Sequence, residues 1–215
     1  MWEYVAAATV CYLVGSFPTG FLVGRWLRGI DVRDYGSGAT GATNILRTLG
    51  ARAFLFVLLA DVLKGWIPVL LVWYLTESHN VQVAAGIAVI LGHDFPVFIG
   101  FRGGRGVATA MGVYAALTVP MAFALVPIAI FVLLAFRYMS VMSLVTIPLG
   151  GAVLLALAVA DLEPYSKAVF GLVASALIVL RHRENIGRLI RGTEPKLGEG
   201  GDARGGARSK IARIT

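Results

Sequence analysis

The sequence predicts an all-α integral membrane protein with seven transmembrane helices, N-terminus external and C-terminus cytoplasmic. Composition is the first ground: 215 residues that are 58% hydrophobic and 14% charged, with a mean hydropathy of +0.79, carry more apolar surface than a water-soluble core of this size can hide. The second is the recurrence of apolar runs near the length of about 20 residues that a helix needs to cross a bilayer. The third is the distribution of charge. Seventeen of the nineteen Lys and Arg residues fall in segments that seven crossings would place on one face, and the positive-inside rule makes that face cytoplasmic.

The first run, 4–24, follows Glu3 rather than a basic segment and lacks a small-x-small cleavage site, so it reads as a retained helix and not a leader. It contains Cys11, the single cysteine, which therefore has no disulfide partner within the chain. The second run, 53–75, carries Asp61 and Lys64 three residues apart near its middle. Each ion costs about 2.5–3.5 kcal/mol at the bilayer centre, so the two are expected to face the bundle interior and pair as a structural feature. Further runs follow at 81–99, 107–118, 119–136, 141–160 and 168–180, the fourth and seventh being short. The connections 76–80, 118–120 and 161–167 are brief, so complex chemistry belongs on the opposite, basic side.

Three segments on that side combine glycine with arginine, and the first is also dense in hydroxyl and amide residues. Asp31–Arg47 holds Gly36, Gly38 and Gly41, which match G-x-G-x-x-G, but without a preceding strand or βαβ unit a dinucleotide site is excluded by context. Backbone N–H groups at such glycines can cradle an anion, with Ser37, Thr43 and Asn44 as donors and Arg47 as a bidentate clamp. Gly92–Val107 repeats the chemistry with Gly103, Gly104, Gly106, Arg102 and Arg105, while His93 and Asp94, beside Pro96, read as a structural polar cluster. In Arg181–Glu194, His182 and Asn185 share a helix face. Ser140 and Ser143 open the sixth run, where a hydroxyl can cap the helix or donate to phosphate.

One cysteine and three scattered histidines give no metal site, and no aromatic-basic face points to nucleic acid. The H-x-x-x-x-D pair that supplies a His-Asp base in one class of acyltransferases is absent, since Ala84, Phe98 and Gly187 stand five residues after the three histidines. From the residues alone, an organic-phosphate transporter remains an alternative. It would favour midplane binding and repeat symmetry, whereas these charges gather at one surface and no repeat is present.

The three segments together resemble the bacterial acyl-phosphate:glycerol-3-phosphate acyltransferases, the PlsY family. Gly36–Arg47, Gly92–Thr109 and Arg181–Glu194 are similar to its three cytoplasmic motifs, in order, and Asp61–Gly65 is similar to the helix between the first two. The resemblance implies seven crossings and one membrane acyltransferase domain over 1–197, while the glycine-rich, basic composition of 198–215, without apolar periodicity, reads as a flexible cytoplasmic tail. The resemblance also implies transfer of an acyl group from acyl phosphate to the 1-hydroxyl of glycerol 3-phosphate, without cofactor or metal, in the bacterial inner membrane with the site facing the cytoplasm. Functional coupling to the soluble enzyme that makes acyl phosphate is a further expectation, as is contact with membrane lipid. Substrate roles fall by resemblance on Ser37, Arg47, His182 and Asn185 and on Gly103, Gly104 and Gly106. Glu194 falls in a structural role. Gly36, Gly38, Gly41, Thr43, Asn44, Arg105 and Ser143 complete the expected binding set. Ala39 stands where the family usually carries Asn, and Arg102 and Arg105 stand where Lys is usual at one or both positions.

Overall fold

The structure is a computed structural model and describes residues 1–199, so the expected tail beyond Glu199 lies outside the described residues. Among the described residues every regular element is helical. The helices are α1 (Trp2–Gly15), α2 (Thr19–Arg28), α3 (Ala42–Leu49), α4 (Ala51–Thr76), α5 (His79–Asp94), α6 (Val107–Leu117), α7 (Val119–Phe136), α8 (Met139–Val159), α9 (Tyr165–Arg181) and α10 (Arg183–Ile190). Single 3-10 turns lie at Val32–Asp34 and Val97–Ile99.

Five segments are long and apolar enough to span a bilayer: Trp2–Arg28, Ala51–Thr76, His79–Ile99, Val119–Phe136 and Met139–Val159. A sixth is reached if α9 and α10, bent by 59° at His182, count as one, and α6 is an apolar helix of 11 residues. The first expected run proves to be two helices. Pro18, without an N–H and restricting Phe17 before it, separates α1 from α2. Helix α3, inside the first glycine-rich segment, was not among the expected elements.

Glycines decide which helices meet. A Cβ on Gly15 would stand 2.1 Å from the Val89 carbonyl oxygen, and one on Gly92 would stand 2.1 Å from that of Tyr12, so α1 and α5 touch backbone to backbone. Gly65 and Gly112 do the same for α4 and α6, and Gly151 and Gly171 for α8 and α9. These are the three most extensive helix pairings. In lipid, where burial of apolar side chains gives helices no reason to associate, such close approach supplies the packing.

Tyr114, Phe170, Ile147 and Ile90 fill the bundle centre, with the Tyr114 hydroxyl donating to the Ile147 carbonyl at 3.0 Å. A smaller cluster of Val23, Val32, Ala42, Ile45, Ala53 and Val57 seats α3 against α2 and α4. It thereby positions the first glycine-rich segment.

Candidate active site

The first segment is organised by one side chain. Asn44, buried in the first turn of α3, accepts the Ser37 N–H at 2.8 Å, and its amide nitrogen lies 2.8, 3.2 and 2.9 Å from the carbonyls of Val32, Tyr35 and Ala39. An amide carries two hydrogens, so the donor expected to meet a ligand is spent in shaping the loop. Gly36 and Gly38 turn through φ values of 51° and 74°, where a side chain would be strained. The Ser37 hydroxyl accepts the Ala39 N–H at 3.5 Å, which leaves its own hydrogen available to a ligand. Arg47 extends from the last turn of α3, and its Nη2 donates to the Pro195 carbonyl at 3.5 Å.

The second segment is organised by its backbone. The Gly103 N–H donates to the Asp94 carbonyl at 3.3 Å and the Gly104 N–H to that of His93 at 3.0 Å. These N–H groups, expected to cradle an anion, close a turn instead. A Cβ on Gly104 would stand 1.9 Å from His93 Nε2, so only glycine fits. Behind the turn, Asp61 lies 2.8 Å from Lys64 and 3.6 Å from His93.

The third segment supplies His182 at the α9–α10 bend and Asn185 in α10. The His182 Nδ1 lies 2.8 Å from the Ile178 carbonyl. A carbonyl can only accept, so Nδ1 carries the hydrogen and Nε2 presents a lone pair. Asn185 donates to Glu194 Oε1 at 2.6 Å while Arg188 donates to Oε2 at 2.7 Å. Burial would raise the Glu194 pKa, but Asn185, Ser140 and Arg188 together hold it below the usual carboxylate value.

All three segments open on one cavity of about 290 Å3. Ser37, Gly41, Thr43, Asn44, Arg47, Arg105, Gly106, Ser143, His182, Asn185 and Glu194 line it, as does Asp61. Gly36, Gly38, Gly103, Gly104 and Lys64 do not. The Ser143 hydroxyl donates to the Met139 carbonyl one turn back at 2.8 Å, so its hydrogen is already committed. Ser140, one turn earlier on the same face, is buried and lines the cavity too.

The cavity has two ends of different chemistry. Arg47 and Arg105 mark the cationic one, and among the described residues neither makes an ion pair. Burial lowers both pKa values, that of Arg105 to about 10, with Arg188 repelling each and Glu194 opposing the shift. Two half-buried guanidinium groups without a direct ion pair are suited to meet an anion. The other end is apolar, walled by Phe54, Leu58 and Val62 of α4, Met111 of α6 and Val126, Ala129 and Ile130 of α7. Val126 and Ile130 are also about half exposed. These wall residues escape sequence reasoning because they sit in ordinary membrane-spanning runs. Ser140 is recoverable from its i, i+3 spacing to Ser143. No group of three or more His, Cys, Asp or Glu side chains suited to a metal ion occurs among the described residues.

The profile of the family described as Glycerol-3-phosphate acyltransferase matches residues 5–192. A glycerol-3-phosphate acyltransferase of Parasynechococcus marenigrum is 46% identical over 188 residues, covering 87% of each chain. One from Prochlorococcus marinus is 42% identical over 190 residues, covering 87% of this chain and 95% of the relative. Two crystal structures of PlsY, an integral membrane glycerol 3-phosphate acyltransferase, superpose over most of the fold. The glycerol 3-phosphate form gives a TM-score of 0.83 at 38% identity, covering 91% of this chain and 96% of that one. The lysophosphatidic acid form gives 0.80 at 36%, covering 90% and 94%. With the three motifs around one cavity and likeness along nearly the whole sequence, the chain belongs to the glycerol-3-phosphate acyltransferase family.

Proposed function

We propose that this enzyme transfers a fatty acyl group from acyl phosphate to the 1-hydroxyl of glycerol 3-phosphate, forming lysophosphatidic acid and inorganic phosphate. The acyltransferase activity follows from the family. The observation that carries the fuller reading is one cavity lined both by two guanidinium groups outside any ion pair and by an apolar wall from α4, α6 and α7, two of whose residues are about half exposed. The cationic end suits the phosphates of both substrates. The apolar end suits an acyl chain arriving from lipid, so the acyl carbonyl lies where the two meet.

In this reading the glycerol hydroxyl attacks the acyl carbonyl and gives its proton to Nε2 of His182, held in the right tautomer by Ile178. A phosphate oxygen of a substrate is the alternative acceptor. The tetrahedral intermediate collapses with cleavage of the carbon–oxygen bond to phosphate, a leaving group good enough that neither covalent nucleophile nor metal is required. Arg47 and Arg105 stabilise its charge. Ser37 donates its free hydroxyl hydrogen to a phosphate oxygen, Gly41, Thr43 and Gly106 shape the binding wall, and Asn185 holds Glu194 in place. Seven crossings are read by counting α6 and the bent α9–α10 pair as spans. The positive-inside count then supports an external N-terminus and a cytoplasmic site, in the bacterial inner membrane.

The deciding experiment incubates purified protein with acyl phosphate and glycerol 3-phosphate and follows phosphate release together with lysophosphatidic acid. Both products are expected only with both substrates, and loss of about 100-fold or more is expected in Arg47→Ala and His182→Ala. Retention of most activity in His182→Ala would transfer the base role to substrate phosphate. No product from folded protein would sink the acyl-phosphate reading.

A further inference from the structure

We propose that Arg181 is a positioning residue for this reaction, its guanidinium fixing the Gly103–Gly104 turn and thereby the aim of Arg105 into the cavity. The inference rests on the reading that Arg105 binds substrate phosphate. Arg181 is the last residue of α9 and does not line the cavity. An arginine there has an ordinary explanation as a topological anchor, with its charge in water. Instead, its Nε and Nη2 both donate to the Gly104 carbonyl, at 3.2 and 2.6 Å. That oxygen belongs to the peptide plane that contains the Arg105 nitrogen, and a planar peptide bond transmits its orientation directly to the departure of the Arg105 chain.

The guanidinium is itself held from two further sides. It lies 5.0 Å above the Phe95 ring, and its Nε is 4.0 Å from Asp94 Oδ2. Asp94 is fully buried, and neither of its carboxylate oxygens has a hydrogen-bond partner among the described residues, so Arg181 is its nearest counter-charge. Asp94 also bounds the other side of Arg105. A Cβ at Gly106, where φ is 72°, would stand 3.1 Å from Asp94 Oδ1. Arg105 is therefore flanked by two glycines, one tied to Arg181 through its carbonyl and the other packed on the aspartate that lies beside Arg181.

The test is a double-mutant cycle with glycerol 3-phosphate titrated at saturating acyl phosphate. Arg181→Met is expected to raise KM by about fivefold or more with a smaller change in kcat, the loss of two charge-assisted donors. In an Arg105→Ala background the same substitution is expected to add less than about twofold, because its effect runs through the side chain already removed. Equal multiplicative effects of Arg181→Met with and without Arg105 overturn the proposal while leaving phosphate binding by Arg105 intact. An Arg105→Ala variant with unchanged KM overturns the binding reading as well. Should Arg181→Met fail to yield monodisperse protein, Arg181→Lys carries the same cycle. It keeps a cation beside Asp94 but cannot reproduce the two-pronged contact, so a raised KM that vanishes without Arg105 supports the proposal and a wild-type KM overturns it.

Discussion

The two glycine-rich loops of this enzyme share glycine and arginine and are built in opposite ways. In the first, the side chain of Asn44 gathers three carbonyls and one N–H, and the glycines bend the chain around it. In the second, backbone N–H groups of Gly103 and Gly104 close on the carbonyls of Asp94 and His93, and the absence of side chains lets the turn press on the His93 ring. Both end by projecting an arginine into the cavity without an acidic partner. Glycine near arginine thus marks a loop that serves as a mount for the guanidinium. Only part of its backbone remains to meet a ligand.

The largest effect that would sharpen this contrast belongs to Asn44→Ala. It strands several buried polar groups, each worth about 1–3 kcal/mol. A fall in the thermal unfolding midpoint together with near-complete loss of turnover is expected. Normal stability in that variant would show that the first loop stands without its hub.

Next comes a matched pair, Gly104→Ala and Gly41→Ala. The first drives a methyl to 1.9 Å from the His93 ring and is expected to cost about 1–3 kcal/mol from overpacking. The second meets nothing nearer than 4.0 Å at an ordinary φ of −73°, and a change within about 0.5 kcal/mol is expected. Equal unfolding midpoints for the pair would break the distinction between the loops.

The smallest effect concerns the third segment. Because the folded pKa of Glu194 lies below its ordinary value, its contribution to stability is present above pH 4.5 and fades as pH falls through the lower native value. Glu194→Gln is therefore expected to destabilise the protein at neutral pH and to flatten the stability loss below about pH 4.5, as read from unfolding midpoints across an acid series. An unchanged acid profile would remove Glu194 from the tie between Asn185 and Arg188.

Some of this was legible in the residues and some was not. Apolar runs placed the long helices because the bilayer imposes a length on them, but Pro18 split the first, and α3 was hidden in a segment that reads as loop. The cavity-lining motif residues Ser37, Arg47, Arg105, His182 and Asn185 were all named from their chemical types. Ser140 and Ser143 were both noted, and only Ser143 entered the expected binding set, because which hydroxyl is consumed by its own helix depends on a rotamer that spacing does not encode.

By itself, the sequence determined the solvent, the approximate apolar runs, the gathering of cations between and after them, and three segments that combine glycine with arginine. These follow from quantities that add along a chain: hydrophobicity, charge and the spacing of residue types. The tertiary structure alone decided that Asn44 turns inward while Arg47 faces the cavity, that Gly104 packs on His93, and that α4 and α7 wall the apolar end. Each of those outcomes is a competition between a ligand and the protein for the same donor or the same space. The winner is set by groups distant in sequence and adjacent only after the helices have packed.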